Sequence, residues 1–284
     1  GRDTFWIPPH LLLYVSVLAL VGIAGYAWHK SKSSAWKRFL AFLLLIPLAA
    51  PLDELWHRLL GKEAIESPLI IWSPPHLLLI GGLLGSLAAL IIILKSDRAS
   101  GARQFFESLA FGTLLGAGFL FLVPTFPTGP YELLGFWGAG ITAALLMGVL
   151  FLAQILTPGT GEATSAVIVF FVLLAIGPFF ERQVAPGINI PVYTYPPLWI
   201  VAAGLLLPAL FLDIVRRPSF VLRGAVAGLL YASMLFGVAL FFLPSEFRYP
   251  WDAAIQALVS SVLGGAAAGK VLQLFYRRNL PERY

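Results

Sequence analysis

Residues 76–95 read His-Leu-Leu-Leu-Ile-Gly-Gly-Leu-Leu-Gly-Ser-Leu-Ala-Ala-Leu-Ile-Ile-Ile-Leu-Lys. Between His76 and Lys95 stand eighteen residues without a charge. As a helix they extend roughly 27 Å at 1.5 Å per residue, close to the thickness of a bilayer's hydrocarbon core. The run has no alternation of period two, so it does not read as a barrel strand. Lipid supplies no hydrogen bonds to a backbone, and a helix satisfies its own.

The rest of the chain repeats this character. Of 284 residues, 59% are hydrophobic and 12% charged, about half the charge of a soluble domain. Such a chain cannot cover itself with polar surface, which excludes a soluble enzyme and a disordered protein. Nine apolar segments are predicted to span: about 10–29, 39–60, 76–95, 105–123, 133–156, 163–180, 198–215, 221–243 and 252–276. The expected fold is all-α: a polytopic integral membrane helical bundle forming a single transmembrane domain over 1–284. Its partner is the lipid bilayer, with other membrane subunits or a second copy of the chain as further candidates.

Alternating the loops between two sides sorts the basic residues 14 to 5, accounting for all 19. The richer side includes Lys30, Lys37, Arg98, Arg216, Arg223 and Arg277, and the positive-inside rule makes it cytoplasmic. The N-terminus is then outside and the C-terminus cytoplasmic, in a bacterial or archaeal plasma membrane. Insertion and anionic lipid account for the net charge of +5 without nucleic acid. There are no cysteines, which removes disulfides, iron–sulfur clusters and thiol catalysis. No phosphate-binding loop, dinucleotide fingerprint or zinc-protease helix is present.

An internal repeat stands out. Trp6-Ile7-Pro8-Pro9-His10-Leu11-Leu12-Leu13 recurs as Trp72-Ser73-Pro74-Pro75-His76-Leu77-Leu78-Leu79, with seven of eight positions identical. The repeat units run about 1–38 and 39–103, and a degenerate copy starts at Tyr195-Pro196-Pro197-Leu198. Proline suits the first turn of a helix. The histidine that follows has no such packing explanation.

The four histidines are His10, His29, His57 and His76. His29 sits in a basic run and reads as solvated. The other three map to the outer membrane boundary. His57 follows Asp53 by four residues, so the two share a helix face. One carboxylate and three imidazoles at one depth make a plausible shell for copper or zinc. The plainer alternatives are an Asp53–His57 interfacial ion pair, with His10 and His76 capping backbone groups. Glu54, Glu63 and Glu66 read as solvated. Pro47 and Pro51 are positioned to kink the second span and tilt Asp53 and His57 inward.

These residues resemble the C subunit of the copper membrane monooxygenases, the particulate methane and ammonia monooxygenases. That family carries Asp-x3-His with Trp before the His, then Arg-Asp-Ser/Thr and Thr-Pro-x-His. Asp53-Glu54-Leu55-Trp56-His57 fits the first half. Trp72-Ser73-Pro74-Pro75-His76 is similar to the second, although its spacer of 18 residues is longer than the family's. Arg2-Asp3-Thr4-Phe5-Trp6-Ile7-Pro8-Pro9-His10 resembles the second half more fully, which predicts an upstream helix ending in Asp-x3-Trp-His. The resemblance covers about 80 of the 284 residues. It implies copper held by Asp53, His57 and His76, with His10 completing that site or belonging to a second. It also implies oxidation of a small apolar substrate reaching the site through lipid. Two other classes remain open: a transporter or channel using Asp53 and the histidines as a cation or proton station, and a structural subunit of a membrane complex.

Overall fold

The computed structural model describes residues 8–61, 73–96, 103–122, 136–156, 161–184, 203–217, 219–242 and 251–279. Among them lie nine helices and no strand: α1 Pro8–Ser31, α2 Ser34–Leu60, α3 Pro74–Ser96, α4 Arg103–Leu122, α5 Phe136–Leu156, α6 Glu162–Val184, α7 Leu206–Ile214, α8 Phe220–Phe242 and α9 Trp251–Asn279. Five of these, over Ser34–Leu60, Pro74–Lys95, Gly138–Leu156, Phe220–Gly237 and Ala254–Leu274, are long and apolar enough to cross a membrane. The chain is a helical integral membrane protein. Between 22% and 44% of each of these five is buried within the chain, and each leaves large apolar side chains exposed, among them Leu48, Ile92, Leu145, Leu229 and Leu263. Water would penalise that surface heavily, whereas lipid accepts it.

The helices form two compact units, Gly1–Arg103 and Gln104–Tyr284. In the N-terminal unit α1 packs on α2, and α2 on α3. Lys32 and Ser33 alone join α1 to α2. Lys32 takes a left-handed backbone with φ 52°, and the Ser33 hydroxyl accepts from the Ala35 N–H to cap α2. Val17, Ala24, Phe39, Leu43, Ile46, Ala89 and Ile93 form the core of this unit. Val15, Leu18, Ile23 and Tyr26 of α1 are exposed. Both faces of α1 are therefore apolar, as a lipid-facing helix requires.

α2 continues through Pro47 and Pro51. It ends at Gly61, whose φ of 84° suits glycine and whose N–H bonds the His57 carbonyl. Its contact with α3 is set by two glycines. A Cβ on Gly85 would strike the Phe42 ring, and one on Gly82 would meet Ile46 and the Phe42 carbonyl oxygen. Contact partners run in opposite directions along the two helices, so the pair is antiparallel. The last turns of α2 thereby lie beside the first turn of α3.

In the C-terminal unit α9 lies against α8 and α5, and α7 against α5, α6 and α8. Gly112 of α4 abuts Val169 and the Ala166 carbonyl of α6. The seam of α8 with α9 is backbone on backbone, at Gly224 with Gly265 and at Gly228 with Ser261. Small residues allow such approach where lipid gives helices no hydrophobic reason to associate.

Gly25 of α1 has no atom within 4 Å of the position a Cβ would take. Gly25→Ala is expected to leave the melting midpoint unchanged or raise it, by up to about 1 kcal/mol of helix propensity. Differential scanning fluorimetry in detergent reads this directly. A clear drop would show that α1 is covered at that face.

Candidate functional site

The antiparallel α2–α3 register delivers three of the sequence candidates to one place. Asp53 Oδ2 lies 3.7 Å from His57 Nδ1, one turn along the same helix. Asp53 Oδ1 lies 3.8 Å from His76 Nε2, across the helix interface. The three side chains are about one-quarter exposed, at 25%, 24% and 29%. Tyr14 of α1 is close enough to feel the charge of Asp53. α1 packs on α2, and His10 stands one turn before Tyr14 on that helix. The His10 side chain lies outside the described residues, as do Glu63 and Glu66. His29 is exposed. Glu54 pairs with Arg58 at 2.8 Å on the outward side of α2.

Both imidazole contacts with Asp53 are longer than a hydrogen bond. Asp53 Oδ1 is buried and accepts no hydrogen bond. A shielded carboxylate oxygen without a donor is costly, and a cation relieves it. Two donors each about 2.1 Å from one metal ion stand roughly 3.4–3.9 Å apart, which matches the spacings around Asp53. Among the described residues, however, no set of three His, Cys, Asp or Glu side chains is grouped so as to hold a metal ion. The arrangement on view is a carboxylate between two imidazoles, not a closed coordination shell.

Two residues at this site escaped the sequence reading. Tyr14 is one; Ser73 is the other. The Ser73 hydroxyl is 2.8 Å from His76 Nδ1, and Ser73 is fully buried. A serine three residues before a histidine at a helix start was the available signal.

The C-terminal unit holds polar residues of a different kind. Asp213 of α7 is buried and accepts from the Ala163 N–H at 3.2 Å, the Thr164 N–H at 2.9 Å and the Thr164 hydroxyl at 2.7 Å. It caps the first turn of α6, where a negative charge is favoured. Gln104 donates to Glu162 at 3.0 Å, tying α4 to α6. Arg223, counted from sequence among the cytoplasmic charges, is buried at 4% exposure. Its guanidinium donates to Gln154 and to the Leu212 carbonyl and lies over the Phe151 and Phe220 rings. These contacts join helices within the unit.

Comparison with protein-family models, with curated proteins and with solved structures finds no match to this chain.

Proposed function

We propose that the N-terminal unit binds a cation at Asp53, and that the cation is copper. Asp53 supplies the charge-neutralising oxygen, and His57 and His76 the imidazole donors, with His10 as a fourth candidate; zinc suits the same donors. The observation that carries this reading is the buried Asp53 Oδ1, which has no hydrogen-bond donor and faces His76 Nε2 at 3.8 Å. The preference for copper comes from the resemblance to the copper monooxygenase C subunits. Bound copper would supply one-electron redox chemistry toward a small apolar molecule entering from lipid. The chain's own residues hold the charge, orient the rings and limit water.

Nine spans, an outer N-terminus and a cytoplasmic C-terminus belong to the same proposal. They put the cluster on the non-cytoplasmic face of a bacterial or archaeal plasma membrane. In its support, each described helix overlaps one of the nine apolar segments, and eight of the nine helices are 20–29 residues long. The 14-to-5 division of basic residues supports the orientation.

Elemental analysis of protein purified in detergent tests the site. Wild type is expected to retain copper or zinc stoichiometrically. Asp53→Ala and His57→Ala are expected to lose affinity by about 10–100-fold or more, with helicity and elution volume unchanged. Wild-type protein that is folded but takes up neither metal would sink the metal assignment. The lack of a three-ligand group among the described residues favours a second reading, a transport station in which Asp53 and the imidazoles bind a proton or a cation in passage. Cation-driven uptake into proteoliposomes, lost in Asp53→Ala, would identify it.

A further inference from the structure

The two proline-histidine repeats differ at one of eight positions, Ile7 against Ser73. That one position touches the candidate site. Ser73 precedes α3, and its carbonyl accepts the Leu77 N–H at 2.9 Å, which makes it the helix N-cap. An N-cap serine ordinarily turns its hydroxyl onto a backbone N–H of the first turn. Of the two usual donors, at the second and third helical positions, Pro75 removes the first and leaves only the N–H of His76 itself. The hydroxyl goes instead to the His76 ring, with Oγ 2.8 Å from Nδ1. Ser73 is fully buried, so water does not compete for this bond.

An imidazole held at Nδ1 has Nε2 as its only free nitrogen. In His76, Nε2 is the atom that faces the bare oxygen of Asp53. A hydroxyl is both donor and acceptor. It can accept a hydrogen bond from Nδ1–H when the Nε2 lone pair is engaged by a cation, or donate one to Nδ1 when Nε2 carries the proton. A metal-bound imidazole needs such a partner on its other nitrogen. We propose that Ser73 is a positioning residue: it holds His76 by Nδ1 and reserves Nε2 for the cation at Asp53. This rests on the metal-binding reading of the site. It also distinguishes the two repeats chemically, because the isoleucine at position 7 offers no hydrogen bond to a ring at His10.

The test combines two measurements on full-length protein in detergent, labelled with 15N-histidine, for wild type, Ser73→Ala and Ser73→Thr. In metal-free protein, the His76 ring nitrogens report the bond at Nδ1. Wild type is expected to show one tautomer population with a hydrogen-bonded Nδ1, Ser73→Ala a shifted or mixed population, and Ser73→Thr the wild-type pattern. In zinc titrations, zinc being diamagnetic, Ser73→Ala is expected to weaken binding about 10–100-fold and Ser73→Thr to restore it. A merely structural serine would change the melting midpoint without moving the ring signals. Metal-free spectra of Ser73→Ala identical to wild type, at unchanged zinc affinity, overturn the positioning role. Wild-type protein that binds no zinc or copper overturns the metal reading, and with it the reservation of Nε2, even where the metal-free spectra still show Ser73 holding the ring.

Discussion

Gly265→Val is expected to abolish the folded C-terminal unit. A Cβ at position 265 would lie 2.1 Å from the carbonyl oxygen of Gly224, and one at 224 would lie 2.0 Å from that of Gly265. The obstructing atoms are backbone, so no rotamer change can make room. Nor can α9 simply retreat from α8. The same helix holds Gly264 against the Gly140 carbonyl of α5 and Gly269 against the Phe220 carbonyl of α8. Moving outward by the width of a methyl group would open all of these contacts together. Ordinary overpacking costs about 1–3 kcal/mol, and this seam is expected to exceed about 4 kcal/mol. Gly265→Ala should act in the same direction and less strongly. Size-exclusion profile and melting midpoint in detergent read the effect. A valine variant that melts with wild type would show that the α8–α9 seam is not packed as described.

Asp213→Ala is expected to cost about 3–5 kcal/mol and to loosen α6 at its first turn. The carboxylate takes three hydrogen bonds from Ala163 and Thr164 in a buried setting. Alanine would leave those donors without an acceptor and remove the negative charge from the helix terminus. Asp213→Asn keeps the shape but can accept through one oxygen only, so an intermediate loss is expected. Hydrogen exchange at Ala163 and Thr164 locates the effect, which should appear there before the middle of α6. Unchanged protection in Asp213→Ala would refute the capping role.

The candidate site is partly legible in the sequence. Asp53 and His57 needed only the helical period, since residues four apart share a face wherever the helix goes. His76 needed the repeat to attract notice and an antiparallel α2–α3 pair to bring it to Asp53. That pairing depends on where Gly82 and Gly85 let α3 settle against Phe42 and Ile46, a matter of shape that local sequence does not express. Tyr14 was hidden because it stands inside the first apolar segment, about 10–29, where nothing local marks which neighbour it meets. Ser73 was hidden because its usual task is backbone capping, and the prolines after it read only as a helix start.

Arg223 and Asp213 show the converse. A charge near the end of an apolar segment counts with the loop charges, as Arg223 does under the positive-inside rule, and nothing local marks Asp213 as a cap. Only the packing of α5, α7 and α8 turns Arg223 inward to Gln154 and Leu212, and only the approach of α7 to α6 makes Asp213 a cap.

Helical class and a lipid environment were determined by sequence alone, because every residue of a continuous apolar run contributes to its transfer from water, and order along the chain carries that sum. Which polar groups meet was decided by tertiary structure. Hydrogen bonds and ion pairs act over a few ångströms, and distances that short are set by the register between helices, which glycine seams far along the chain adjust.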